Sequence, residues 1–101
     1  MAAWYAGHGY VVLARNWRCA GGELDVIARI GAVLVVCEVK TRSGDRFGEP
    51  FEAVTRQKQL RIRRLTARWL SVSQPRVRPR DIRFDVASVR GGVVEVLENA
   101  F

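Results

Sequence analysis

Two β-strand patterns hinged on one glycine constrain this chain more than any other feature. Glu23 to Ile30 (ELDVIARI) and Ala32 to Thr41 (AVLVVCEVKT) are rich in β-branched residues and meet at a tight connection around Gly31. That is the signature of a β-hairpin. Side chains alternate across a strand, so Glu23, Asp25 and Ile27 are expected on one face and Leu24, Val26 and Ala28 on the other. On the next strand Leu34, Val36, Glu38 and Lys40 share a face opposite Val33, Val35, Cys37 and Val39. A turn over Ile30 and Gly31 sets Arg29 opposite Ala32, Asp25 opposite Val36 and Glu23 opposite Glu38. In that register Glu23, Asp25, Glu38 and Lys40 project from one side, and a one-residue slip would part them.

The far end of this hairpin breaks an ordinary rule of strand composition. One face is apolar throughout; the other turns from apolar to charged. Three carboxylates side by side repel one another, and each loses free energy on leaving water. A divalent cation would relieve both penalties. Oxygen ligands favour Mg²⁺ or Mn²⁺, which use one or two carboxylates and complete their shell with water and phosphate. Asp25 and Glu38 are the expected ligands, with the Val39 backbone carbonyl as a third and Glu23 as a further one. Lys40, two residues from Glu38, is placed to position an attacking water or to stabilise charge in a transition state. The plain alternative is an exposed Glu38–Lys40 pair at a strand end, with Glu23 and Asp25 solvated beside it. For an isolated ExK that alternative wins.

Around the hairpin, Met1 to Gly7 reads as the tail of a short helix closed by Gly7 or Gly9. Tyr10 to Trp17 reads as a first strand, and Arg18 to Gly22 as a turn. Arg42 to Pro50 is a Gly-rich charged loop, suited to a flap over a bound polyanion through Arg42 and Arg46. Phe51 to about Ser73 has a helical period, Gln74 to Asp81 is a connecting loop, and Ile82 to Val89 and Val93 to Leu97 close the chain as a strand pair. On the long helix Val54, Ile62, Leu65, Trp69 and Val72 form an apolar stripe. Gln57, Arg61, Arg64 and Arg68 line up beside it, with Arg56 and Arg63 further round. Lys58 falls within the apolar stripe, from where it can snorkel to water or reach back toward the carboxylates. Asp85 is expected to be a structural partner for a nearby arginine rather than a metal ligand.

The 101 residues suit one domain with one modest core, and 49% apolar content supports folding. The longest apolar run, Ala32 to Cys37, is far too short to cross a bilayer, and the N-terminus lacks a secretory pattern. Two cysteines, one histidine and no CxxC argue against a disulfide framework or a zinc site, which points to a cytoplasmic protein. Seventeen Lys and Arg against ten acids give a net charge of +7, and nine of those cations lie between Ala53 and Arg80, where no acid occurs. A positive face of that density attracts nucleic acid, and a row of arginines can track a phosphate backbone without reading sequence. A merely solvated, solubilising surface is the rival reading of each arginine taken alone.

Asp25, then twelve residues, then Glu38-Val39-Lys40, on a hairpin followed by a helix, resembles the D…(D/E)xK signature of the restriction-endonuclease-like superfamily. The wording around it is more specific. Gly9-Tyr10, Ala14 to Arg18, Gly22 to Asp25, Glu38 to Arg42, Phe47-Gly48 and Arg83 to Val86 resemble the bacterial YraN-type family across nearly the whole chain. The resemblance implies an α/β, restriction-endonuclease-like fold: a mixed central β-sheet flanked by α-helices. It also implies a metal-dependent endonuclease, distantly similar to Holliday-junction resolvases. Asp25, Glu38 and Lys40 would be catalytic, Mg²⁺ or Mn²⁺ the cofactor and DNA, including branched or damaged DNA, the substrate. The position of Lys58 is usually basic in that family. Its members also begin with a longer helix whose Gly-x-x-Gly-Glu-like segment brings an acid to the metal. This chain has no acid before Glu23, so either the helix is truncated here or this member lacks one metal-site acid. Two further functions stay open: a binding module on the same fold without useful catalysis, and an RNA- or ribosome-associated basic protein. No membrane or small-molecule cofactor is expected. Two-fold DNA substrates would favour a homodimer, which no residue specifies.

Overall fold

A computed structural model describes residues 1–42, 54–73 and 78–101 of the chain. Their order is α1 (Ala2–Gly7), β1 (Val11–Cys19), β2 (Gly22–Ile30), β3 (Val33–Arg42), α2 (Arg56–Val72), β4 (Asp81–Arg90) and β5 (Val93–Leu97). The five strands form one sheet in sequence order. All neighbours are antiparallel except β3 and β4, which run parallel because the chain crosses back through α2 between them. The result is an α/β fold with a mixed sheet, compatible with the restriction-endonuclease-like architecture.

The hairpin forms, but around a different turn. Ile30 pairs with Val33 and Val26 with Cys37, so the loop is Gly31-Ala32, not Ile30-Gly31. Gly31 takes φ +56, the left-handed conformation that two-residue hairpin turns require and that glycine adopts at no steric cost. The register is therefore two residues from the expected one, which leaves side-chain parity unchanged. Continuing it one step past Val26 sets Asp25 opposite Glu38.

Each face of the sheet carries its own core. On the α2 side Leu24, Ile27, Leu34, Val36 and Phe84 pack against Ile62, Leu65 and Trp69; on the α1 side Tyr5 covers Val26, Ala28, Val35, Cys37 and Ala87. Full burial of each large aliphatic side chain stabilises the fold by roughly 1.5–3 kcal/mol. Cys19 and Cys37 are free thiols, and burial pushes Cys37 up to about 12.

The long helix begins later than its periodicity suggests. Thr55 is its N-cap, with extended backbone, and its Oγ1 accepts a hydrogen bond from the Lys58 N–H. Residues 51–53, placed in the helix by periodicity, lie outside the described residues. Val54 packs against the core from just before the cap. At the other end Val72 is 56% exposed, while Thr66 is buried in the stripe. The Thr66 hydroxyl donates to the Ile62 carbonyl, so its polar atom is satisfied within the helix and its methyl can face the sheet.

Candidate metal centre and basic face

The β2–β3 ladder stops at Val26 and Cys37, and beyond it a side chain takes over from the backbone. Asp25 Oδ2 accepts a hydrogen bond from the Val39 N–H at 2.8 Å. Strand N–H groups lie in the plane of the sheet, so the Asp25 carboxylate does too, filling the gap where the two strands part. A strand residue directs its N–H and C=O to the same side. The Val39 carbonyl therefore faces that gap as well.

This placement corrects the expectation of four charged side chains on one face. Leu24 and Ile27 both belong to the α2-side core, which regular alternation forbids for residues three apart. The alternation breaks at Asp25 between them. Glu38 stays on the α2 side with Val36, and Lys40 follows it by strand alternation. Glu23, neighbour to the α2-facing Leu24, points away from Glu38 and lies 3.6 Å from Arg18 Nε. The sequence signal for this break is weak. It amounts to Asn16 in the neighbouring strand, which takes φ +50, a conformation asparagine tolerates better than most residues.

Asp25 is only half-buried, yet its carboxyl is held above the usual range. Burial is the largest cause, and the negative charges of Glu38 and Glu23 add to it; the Val39 N–H and Lys58 act against it. Lys58 reaches back from the first turn of α2 to within 3.7 Å of Glu38 Oε1. Both side chains are partly solvated, so the pair contributes at most about 1 kcal/mol. An open cleft of about 370 Å³ on the α1 side gives access to Asp25 past Arg15, Asn16, Val39 and Thr41. In the sequence Arg15 and Asn16 stand out as part of the Ala14 to Arg18 segment of the family resemblance, with no site role attached to them.

The donor set suits a hard cation that keeps much of its own water. Two carboxylates and a carbonyl match the way Mg²⁺ or Mn²⁺ is bound, with water and phosphate completing the shell. A closed all-protein cage is a poor match, because among the described residues no three His, Cys, Asp or Glu side chains gather as one.

Along α2, Gln57, Arg61, Arg64 and Arg68 are exposed, and the described part of that helix carries no acid. The Arg61 stem lies against Gly22, so the row runs down the flank of the helix nearest β1 and β2. Arg63, also exposed, lays its guanidinium over Phe84, 4.6 Å from the ring centre. Arg46 and the Arg42 side chain lie outside the described residues.

Residues 1–89 match the model of the uncharacterised protein family UPF0102. The chain belongs to the UPF0102 family. The resemblance to the YraN-type family read from Gly22 to Asp25 and Glu38 to Arg42 is thereby borne out. Among its UPF0102 relatives, a protein of Nocardioides is 55% identical over 82% of this chain and 65% of its own length. One from Frankia alni is 57% identical over 83% of this chain and 68% of its own, and one from Beutenbergia cavernae 50% over 92% and 80%. The chain thus spans about two thirds of the Nocardioides protein it matches. For a UPF0102 protein of this kind, chemistry has to be argued from the site, because family and fold do not assign it.

Proposed function

We propose that this UPF0102 chain is a cytoplasmic, metal-dependent endonuclease that hydrolyses DNA phosphodiester bonds, including those of branched or damaged DNA. The observation that carries the reading is Asp25. The fold keeps a carboxylate half out of water, beside two other acids, with its pKa raised, and among the described residues gives it one backbone hydrogen bond in return. A carboxylate perturbed by burial and by like charges, and lining a cleft, is a candidate for a functional site.

In this mechanism Asp25, Glu38 and the Val39 carbonyl hold Mg²⁺ or Mn²⁺. The ion, when bound, lowers the pKa of a water and offsets charge on the scissile phosphate. Asp25 keeps its position through the Val39 N–H, so the strand itself orients the ligand. Lys40 orients the attacking water or stabilises the negative charge that builds on the phosphate. Lys58 keeps the Glu38 side of the gap from accumulating net negative charge before substrate arrives. Arg61, Arg64 and Arg68 grip the backbone of the duplex without regard to sequence.

A second reading, a binding module without useful catalysis, is favoured by one observation: the described residues bring two carboxylates to the gap and no third acid on Glu38's side. Cleavage of linear, single-stranded and four-way-junction DNA, with Mg²⁺ or Mn²⁺ and with EDTA, separates the two. Metal-dependent cutting is expected, abolished in Asp25→Asn and lowered about 10²–10³-fold in Lys40→Ala, as for loss of one transition-state charge partner. Salt-sensitive binding without cutting on any substrate would leave the binding module.

A further inference from the structure

The helix that carries the arginine row ends beside a second cavity. A cleft of about 640 Å³ opens at the β2–β3 turn, with Leu13, Arg29, Gly31, Trp69, Ser73 and Arg78 in its wall. Among the described residues its lining contains two guanidiniums, an indole and a hydroxyl, and no carboxylate. Arg29 and Arg78 are both exposed, and neither has an ion-pair partner among the described residues. Arg29 donates one N–H to the Gly31 carbonyl at 3.2 Å, which steadies the guanidinium over the turn and leaves most of its five donors available. Asp81, three residues from Arg78, lines a different cleft and accepts a hydrogen bond from the Ile82 N–H.

We propose that this cleft is a second phosphate-binding subsite for duplex DNA, at the opposite end of α2 from Asp25 and Glu38; it rests on the nucleic-acid reading above. Lys58, in the first turn of α2, lies against Glu38, and Trp69, in the last turns, lines the cleft. The helix rise between them is about 16 Å, close to five base pairs of duplex. Arg61, Arg64 and Arg68 are exposed along the helix between the two ends, so positive charge extends from the carboxylate end toward the cleft. Arginine pairs are the chemistry of phosphate recognition, because the planar fork matches two phosphate oxygens at once. Trp69 is only 7% exposed and forms the wall, so it offers no stacking platform for a base. The Ser73 hydroxyl is committed to the Leu70 carbonyl. The subsite therefore adds affinity and fixes the direction of the duplex, and carries no sequence preference.

The test is binding of labelled hairpin DNA in EDTA, across a range of salt, with one stem shorter than the track and one longer. Wild type is compared with the double variant Arg29→Gln/Arg78→Gln, and with Arg61→Gln/Arg64→Gln. The double variant at the cleft should weaken the long stem and lower its log–log salt slope by about 2, one for each phosphate that an arginine no longer neutralises. The short stem, held by the α2 arginines without the cleft, should bind nearly as before, which also shows that the variant is folded. Equal losses on both stems, or none on either, would overturn the subsite. If wild type binds neither stem, or the α2 variant leaves both unchanged, the nucleic-acid reading itself falls, and the subsite with it.

Discussion

Asp85 on β4 and Asp25 on β2 are two carboxylates of one sheet with opposite surroundings. Asp85 is fully buried and accepts hydrogen bonds from the Tyr5 hydroxyl (2.7 Å), the Arg83 Nε and Nη2 (2.8 Å each) and the Asn99 N–H (3.0 Å). Those donors fill the roughly four lone-pair positions a carboxylate has, and Arg83 supplies the opposite charge. Arg83 in turn donates to the Tyr10 hydroxyl. Among the described residues Asp25 has one backbone donor and two acidic neighbours. A saturated carboxylate ties α1, β4 and the C-terminal residues together, whereas an unsatisfied one retains lone pairs for a ligand.

Breaking the saturated site should have the larger effect on stability. Asp85→Ala removes the partner of a largely buried guanidinium and strands the Tyr5 hydroxyl, so a loss of about 3–5 kcal/mol is expected. Urea unfolding followed by tryptophan fluorescence would measure it as a lowered midpoint. A cost no greater than that of a surface substitution would dissolve the distinction between the two aspartates. Tyr5→Phe is the milder cut. It keeps the ring packed under the sheet and removes one donor from Asp85, for an expected loss of about 1–3 kcal/mol in the same measurement. Burial, with help from Cys37 and Asp85, already holds the Tyr5 phenol far above its usual range, so no titration of Tyr5 complicates the comparison near neutral pH.

The same pair shows what could be read in the chain before its structure. Asp85 as a structural partner of an arginine was legible, because Arg83-Phe84-Asp85 sits on an alternating strand with charge on one side. The hairpin, the β5 pairing and the α/β order were legible from β-branched runs, Gly31 and Gly91-Gly92. The geometry of Asp25 was not. Its direction depends on a break in alternation between Leu24 and Ile27 and on a skipped residue, Leu13, in the neighbouring strand; both are properties of strand pairing, invisible in a single segment. The register failed by two because either Ile30-Gly31 or Gly31-Ala32 can serve as the turn, and both registers keep the same residues on each face, so alternation does not choose between them. At the helix, Val72 reads as core by hydropathy and Thr66 as surface. The fold reverses them because a threonine can satisfy its own hydroxyl on the preceding turn.

The smallest expected effect is also the one that separates the two aspartates by sign. Asp25→Asn keeps an oxygen for the Val39 N–H and removes the charge that burial, Glu38 and Glu23 all disfavour. Because the folded-state pKa of Asp25 lies above the ordinary value of 3.8, the folded state binds the proton more tightly than the unfolded chain does. Wild-type stability should then fall as pH rises from 3.8 through the raised value, with the full penalty present above it. At neutral pH, without metal, Asp25→Asn should therefore melt higher than wild type. The gain should shrink as pH falls into the carboxylate range, where Asp25 in the wild type is protonated too. Millimolar Mg²⁺ should raise the wild-type melting temperature and leave Asp25→Asn nearly unmoved. A neutral-pH loss of stability in Asp25→Asn, comparable to that of Asp85→Ala, would make Asp25 a second structural aspartate and remove the main support for a metal centre between β2 and β3.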